Sequence, residues 1–480
     1  MNATASNLNP ALLQRETTSF VIDSREVQAG DVFFALSQPE YENNGFNGEF
    51  EDATTFASAA FEQGAVVCVL RVDRYHEHKP KLEKYHDKLV FVDDAILALQ
   101  RLAHGVYLDW DRPVVAITGS AGKTTAKELT AHVLGSTGRK VLRNIKNYNN
   151  GLGHPLTVLN LAKDKTYDLA VLEMGMSTPT HEIQRLCRIT PPDVAVELNV
   201  LPVHVEHLGS IENVARAKTE LIECMKPAGT AVLNADDERV LAMRDLVKGK
   251  TITYAIANEA DVRAVDISFE RFGETTFTLK TPAGMARVEF PLNGRHNILN
   301  ALAAAAVGHQ FGMSAEAIAT SLEKVESPTQ RGEVLHFASG FTVINDSYNS
   351  NPTALLSMTQ TLIDGGGDAS RKIVVAGEML ELGANETTIH RETGEKLGLS
   401  GIDNLLGVRG LALEMVEGAR AAGLKTAVFA ENSDAAGDLL VREIRPGDVV
   451  LIKGSRGVRT EKVLERLLKE FELEDSGSKV

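Results

Sequence analysis

The sequence predicts an α/β protein of three domains: a small N-terminal α/β domain over residues 1–112, a central parallel-sheet domain over 113–327 and a C-terminal α/β domain over 328–480. Three observations predict it. From Val114 onward, short β-branched runs alternate with helical stretches, which is how a doubly wound parallel sheet reads. The length of 480 residues fits about three domains. The chain also divides at two places, the linker-like Asp111-Arg112-Pro113 and again near Pro328.

In the first unit, Phe20-Val21-Ile22 and Val32 to Leu36 read as short strands around a turn at Gly30-Asp31. A helix from Ala53 to Gln63 leads to a strand from Val66 to Val72. Another strand, Leu89 to Val92, precedes a closing helix from Ala95 to Tyr107. Tyr75 to Lys88 is dense in His, Lys and Glu and reads as a solvated face without metal-ligand spacing. In the second unit, strands at Leu169 to Leu172, Val194 to Val196 and Ala231 to Leu233 alternate with helices. The pattern changes to a small antiparallel insertion from Asp261 to Leu292, and an alanine-rich helix from Asn297 to Gln310 follows, ended by Gly312. In the third unit, strands recur at Thr342 to Ile344, Ile373 to Ala376, Asn404 to Val408, Ala427 to Ala430 and Val449 to Ile452. Each leads into a helix, as in a Rossmann-like domain, but no GxGxxG is present and dinucleotide binding is not supported. Glu472 to Val480 reads as a frayed tail.

The chemistry centres on Val114 to Thr125. A buried strand runs into Gly119-Ser120-Ala121-Gly122-Lys123-Thr124-Thr125 and then a helix. Small residues let backbone amides close around phosphate oxygens, and the helix N-terminus adds positive dipole. Lys123 can reach terminal phosphates, and the Thr124 hydroxyl can ligate magnesium. Ile117 stands where the first glycine of the strict P-loop pattern belongs; Gly119 lies inside the loop instead. Glu173 follows the strand Leu169 to Leu172, at a carboxyl end where a magnesium ligand is expected in a P-loop domain, although a solvated glutamate fits that position too. His204, Glu206 and His207 crowd into four residues without matching a zinc site, and Lys218 comes fourteen residues after His204. By spacing alone His204 and Lys218 are weak candidates, because a lone histidine or helix lysine is usually structural or solvated.

The loop Thr118 to Thr125 resembles the ATP loop of the Mur ligase family, whose members share the displaced glycine, and the resemblance covers nearly the whole chain. It implies that Gly119, Ser120, Ala121, Gly122, Lys123, Thr124 and Thr125 hold ATP, with Thr124 on one Mg2+, and that Glu173 and His204 serve a second Mg2+. It also implies that Lys218 is carbamylated, its ammonium converted by carbon dioxide to an anion that assists this metal. Asn297 and Asn300 would face the nucleotide, with Arg331 and Asp346 closing over it from the third domain. Ser24 and Arg25 match the motif near the UDP moiety. The segments Asn147-Tyr148-Asn149-Asn150-Gly151-Leu152-Gly153-His154-Pro155-Leu156-Thr157, Asp346-Ser347-Tyr348-Asn349-Ser350-Asn351-Pro352 and Lys453-Gly454-Ser455-Arg456-Gly457 resemble the family branch that adds a dipeptide. They make Asn147, Asn150, Asn349, Asn351, Lys453, Ser455 and Arg456 substrate-binding candidates. The Asp-Asn-Pro-Arg of the branch that adds a diamino acid is absent. The implied reaction is ATP-dependent amide formation between UDP-MurNAc-tripeptide and D-alanyl-D-alanine through an acyl phosphate. Another amino-acid-adding member, a P-loop kinase or ATPase, and a non-catalytic nucleotide-binding module are the alternatives. Two departures from the family pattern are His154, where a small apolar residue is expected, and Gly45-Phe46-Asn47-Gly48 in place of Arg-Phe-Asp-Gly.

Net charge of −15 argues against a nucleic-acid surface or an anionic membrane as partner, while leaving room for a local basic pocket. Cys68, Cys187 and Cys224 are odd in number and lack CxxC spacing, as expected of free thiols in a reducing compartment. The start of the chain shows no basic region followed by an apolar run, and no stretch has membrane-spanning length. A cytoplasmic monomer is the expectation.

Overall fold

The structure, a computed structural model, describes residues 17–46, 49–145, 147–176, 181–202, 208–271, 274–326, 330, 332–367, 369–380 and 382–474. Three sheets carry it. The first has four parallel strands in the order Phe20–Val21, Val32–Phe34, Val67–Arg71 and Leu89–Val92. Its two middle strands, Val32–Phe34 and Val67–Arg71, are buried on both faces, which is why they read as unbroken apolar runs. Phe33, Cys68 and Leu70 pack under Ala57, Ala60 and Phe61, whereas Val32, Phe34 and Val69 turn to Ile96, Leu99 and Ala103 of the helix Ala95–Trp110. That helix also touches Leu142, Val158 and Leu161 of the central unit, so it is shared between two sheets. It ends at Asp111 in a left-handed conformation (φ 45°), and the next strand starts three residues on.

Tyr75 to Lys88 is not simply a solvated face. It forms the helix Val72–Leu82 and a 3-10 turn, Glu83–Lys88, and buries Tyr75 and Leu82 in the first core. The Tyr75 ring lies 4.8 Å from that of Phe91. The charge density masks an amphipathic segment whose few apolar positions point inward.

The central sheet has nine strands, in the order Gly284–Phe290, Glu274–Thr281, Val262–Arg271, Lys250–Ala255, Thr230–Asn234, Val194–Glu197, Val114–Thr118, Leu169–Glu173 and Val141–Arg143. The antiparallel segment extends this sheet, joining it where Val262 pairs in parallel with Tyr254. The helix Arg295–Gln310 is buried from Ala301 to Val307 and packs against Lys123–Gly135, its alanines letting the two backbones approach.

The third sheet runs Glu333–His336, Thr342–Asp346, Asp448–Lys453, Arg371–Gly377, Asn404–Val408 and Thr426–Ala430; only the first pair is antiparallel. The last strand of the chain enters between two earlier ones, which sets the carboxyl ends at Asp346 and Lys453 side by side. Within the expected frayed tail, Leu473 and Glu474 are held instead: Glu474 N donates to His336 O (2.9 Å) and Leu473 pairs with Phe337, while residues 475–480 lie outside the described residues. Cys68 and Cys187 are buried and Cys224 is partly so, all as free thiols. Among the described residues, no helix is long and apolar enough to cross a membrane.

Candidate active site

The strand Val114–Thr118 is wholly buried and delivers the chain into a loop that only glycine could make at two points. A Cβ on Gly119 would sit 2.7 Å from Leu198 Cβ. Gly122 caps the helix Lys123–Gly135 with φ +82°, and a Cβ there would meet Asn300 Oδ1 at 2.5 Å. The first intrahelical bond is Ala126 N to Gly122 O (2.8 Å), so the Thr124 and Thr125 amides lack an intrahelical acceptor and face the loop mouth. Asn199, which sequence reasoning missed, braces the loop. Its Oδ1 accepts from Ala121 N (2.9 Å), its Nδ2 donates to Ala121 O (3.1 Å) and its carbonyl accepts from Ser120 N (3.0 Å). The Lys123 ammonium lies over the loop, donating to Gly119 O at 2.9 Å.

Glu173 ends the neighbouring strand and is buried. Both its carboxylate oxygens are hydrogen-bonded: Thr124 Oγ1 donates to Oε2 (2.8 Å) and Asn149 Nδ2 to Oε1 (2.7 Å). An oxygen donor set of hydroxyl and carboxylate suits a hard cation such as Mg2+. No cluster of three metal-ligating side chains of the His, Cys, Asp and Glu types occurs among the described residues. His204 lies outside them.

Lys218 sits on the helix Ile211–Glu223, on the same stripe as Val214 and Leu221, which pack onto Ala116, Ala195 and Leu233. It is therefore turned to the sheet and only 2% exposed. Burial, with the positive charge of Lys123 second, lowers its pKa to about 7; Glu197 opposes the shift. Glu197 ends the strand Val194–Glu197, is fully buried, and has no hydrogen-bond partner on either carboxyl oxygen among the described residues. Burial raises its pKa to about 8, against the pull of Lys218 and with a further push from Asp237. Sequence reasoning missed Glu197 because a glutamate at a strand end reads as an exit to solvent.

The loop opens on a cleft of about 600 Å³ between the central and third sheets. Asn297 and Asn300 line it from one turn of a helix, with Asn297 Nδ2 on Asn293 O (2.8 Å). Asp346 and Lys453 line the opposite side, paired at 2.5 Å, and Lys453 also donates to Asn349 O (2.8 Å). His296 lies between the walls, 3.5 Å from Ser357 Oγ, its pKa lowered to about 4 by burial. Asn147, Asn349 and Asn351 also line the cleft, although Asn351 Oδ1 caps the helix Pro352–Gly365 through Ala354 N (2.8 Å).

Other sequence candidates have local partners and do not themselves line the cleft, although Ser455 and Arg456 touch Ser350 and Tyr348 of its wall. Asn150 Oδ1 accepts from Gly153 N (2.9 Å) and Leu152 N (3.1 Å). Ser455 Oγ accepts from Leu380 N (3.0 Å), and Arg456 stacks 5.6 Å above the Tyr348 ring. Ser24 and Arg25 form a short turn in the first unit, where Arg25 is paired with Asp23 (2.6 Å). Arg331 lies outside the described residues. His154 does not line the cleft: it is fully buried, with Nε2 2.8 Å from Thr190 Oγ1.

Residues 117–308 match the Mur ligase middle domain, and residues 330–456 match the Mur ligase, glutamate ligase domain. The UDP-N-acetylmuramoyl-tripeptide–D-alanyl-D-alanine ligase of Bacillus subtilis is 34% identical over 466 residues, 96% of this chain and 95% of that protein. The ligase of the same name from Escherichia coli is 34% identical, covering 93% and 92% of the two chains. Among solved structures, MurF from Acinetobacter baumannii superposes with a TM-score of 0.83 at 29% identity, over 95% of this chain and 94% of that one. MurF ligase from Thermotoga maritima in complex with ADP gives 0.80 at 28%, over 96% and 99%. Matched over nearly its whole length by these ligases, the chain belongs to the Mur ligase family.

Proposed function

We propose that this protein is an ATP-dependent, ADP-forming amide ligase that adds D-alanyl-D-alanine to UDP-MurNAc-tripeptide in peptidoglycan precursor synthesis. The observation that carries the reading is the Thr124–Glu173 hydrogen bond at the mouth of a phosphate loop, facing Asp346 and Lys453 across one cleft. A nucleotide held there lies between two domains, and the relatives that match the whole chain bear this activity in their name.

A carboxylate is a poor electrophile, so the reaction starts by giving it a leaving group. The tripeptide carboxylate attacks the γ-phosphorus of ATP, the bond to the bridging oxygen breaks, and ADP leaves an acyl phosphate. The amine of D-alanyl-D-alanine then attacks the acyl carbon, and phosphate departs from the tetrahedral intermediate. Lys123 is the cation assigned to the transferred phosphoryl group, and the loop amides from Gly119 to Thr125 cradle the phosphates. Thr124 and Glu173 are the residues to hold Mg2+, with His204 and Lys218 assigned to a second ion. Bound Mg2+ would screen the carboxylate from the ATP phosphates. Lys218 serves as a carbamate, which replaces an ammonium that would repel the cation; its burial, which disfavours the charged amine, supports this. Asn297, Asn300, Arg331 and Asp346 are assigned to the nucleotide.

The domains 1–112, 113–327 and 328–480 would each hold one substrate: the UDP end near Ser24 and Arg25, ATP, and the dipeptide. Asn147, Asn150, Asn349, Asn351, Lys453, Ser455 and Arg456 would line its path. Closing the cleft keeps water from the acyl phosphate. A cytoplasmic monomer fits substrates that are activated by UDP and ATP. The test is a coupled assay of ADP release. ADP and phosphate should form only when UDP-MurNAc-tripeptide and D-alanyl-D-alanine are both present. Efficient turnover of UDP-MurNAc-dipeptide with a single diamino acid would move the protein to a neighbouring branch, and ADP release without an acceptor would make it an ATPase.

A further inference from the structure

Glu173 is held from two directions. Thr124 Oγ1 of the phosphate loop donates to one carboxylate oxygen (2.8 Å), and Asn149 Nδ2 donates to the other (2.7 Å). Asn149 belongs to the segment between the phosphate-loop helix and the helix Gly153–Val158, and that segment is locked onto the Glu173 strand by its backbone. Gly175 N donates to Asn149 O (2.8 Å). Asn144 Oδ1 accepts from Glu173 N (3.0 Å), while its Nδ2 donates to Glu173 O (2.9 Å) and Tyr148 O (3.0 Å). The buried Lys127 ammonium fixes Asn144 O at 2.6 Å. Gly175 leaves the space that Asn149 fills, because a Cβ there would lie 2.9 Å from Asn149 Cγ and 3.1 Å from its Nδ2.

Asn147 and Asn149 both line the cleft, two residues apart on one short segment. A ligand that displaces this segment therefore moves one of the two hydrogen bonds that aim Glu173, and a cation that reorients Glu173 moves the segment. We propose that Asn149 is a positioning residue that couples occupancy of the acyl-substrate segment to the affinity for Mg2+–nucleotide, so that each ligand changes the binding of the other. The inference rests on the function proposed above, in which Glu173 serves Mg2+ and residues 147–157 meet the acyl substrate. Linkage makes the effect reciprocal, and a coupling of ordinary size is about 5-fold to 150-fold in affinity.

The experiment is calorimetric titration of the full-length protein with Mg2+–ADP, without and with saturating UDP-MurNAc-tripeptide. The wild type should show affinities that differ by about 5-fold or more between the two conditions. Asn149→Ser, whose hydroxyl stops short of Glu173, should bring the ratio within about twofold of unity while Mg2+–ADP still binds. Gly175→Ala, which displaces the Asn149 side chain without touching a ligand, should do the same. Should Asn149→Ser fail to fold, as judged by circular dichroism, Gly175→Ala alone decides. Either folded variant keeping the wild-type ratio overturns the inference, as does a wild-type ratio near one. A wild type that binds no Mg2+–ADP at all overturns the proposed function and this inference with it. A lost ratio in a wild type with normal ligase turnover overturns the inference alone.

Discussion

Replacing Lys218 tests the most consequential of the assignments. At its ordinary pKa of 10.5, a lysine at pH 7 presents the neutral amine in only about three molecules in ten thousand. With burial and Lys123 lowering the value to about 7, the neutral form is about half of the total, roughly a thousandfold gain. Only the neutral amine attacks carbon dioxide, forming the C–N bond of a carbamate and releasing one proton. The environment of Lys218 thus supplies the neutral amine that carbamylation consumes, while a cation would still be needed to offset the burial of the anionic product. Lys218→Ala should lower kcat by roughly 100-fold or more, on the scale of a lost preorganised charge contact. Added acetate should partly restore it by supplying a carboxylate to the vacated space. Lys218→Glu should keep partial activity, whereas Lys218→Arg should fare no better than alanine, because a guanidinium stays charged. Glu197 favours the ammonium, so Glu197→Gln should let carbamylation proceed at lower carbon dioxide. The assays are ADP release in degassed and bicarbonate-supplied buffer, and a carbamate carbon signal by NMR after labelling with 13C-bicarbonate. Wild-type turnover in Lys218→Ala would refute the reasoning. So would unchanged wild-type activity in degassed buffer with no labelled carbamate signal.

Lys123→Ala should reduce kcat by about 100-fold or more, read in the ADP-release assay, with folding checked by melting temperature. Gly122→Ala forces a side chain into φ +82° and against Asn300 Oδ1 at 2.5 Å; a loss of about 2 kcal/mol is expected in urea unfolding, with weaker ADP binding. His154 has its pKa lowered to about 3 by burial, so the folded state keeps it neutral while the unfolded chain protonates it below its ordinary 6.5. Its stability contribution is present above pH 6.5 and is lost as pH falls toward 3, by up to about 1.4 kcal/mol for each pH unit. His154→Leu should flatten that acid slope in urea unfolding between pH 6.5 and 4; an unchanged slope would count against the burial argument.

The parts of the site that were legible in the sequence are those whose function is local. The phosphate loop is one: its glycines, lysine and threonine do their work within seven consecutive residues, and the strand before it announces itself by β-branching. The substrate segment was legible in part, since the resemblance makes Asn147 and Asn150 candidates and passes over Asn149. Asn147, Asn149 and Asn150 are equivalent on paper, yet Asn150 caps its own turn and Asn149 reaches Glu173. Nothing local distinguishes them, because the distinction is made by Gly175, in the loop just past the Glu173 strand. Lys218 was legible through resemblance alone, since a helix lysine carries no mark of what its stripe packs against.

The two glutamates show most clearly what three dimensions add. Glu173 and Glu197 each end a parallel strand beside Val114–Thr118, one on either side, and as sequence they read alike. Their register differs by one residue: Glu173 pairs with Ile117 and Glu197 with Thr118. Side chains alternate across a sheet, so that single step sends them to opposite faces. Glu173 follows Leu169 and Val171 to the face covered by the phosphate-loop helix, where Thr124 and Asn149 satisfy it. Glu197 follows Ala195 to the face covered by the Lys218 helix, where a carboxyl with no hydrogen-bond partner among the described residues is too costly to stay ionised alone. The same arrangement that presents one carboxylate to the cleft therefore buries another beneath it, beside the lysine whose charge the proposed reaction must reverse.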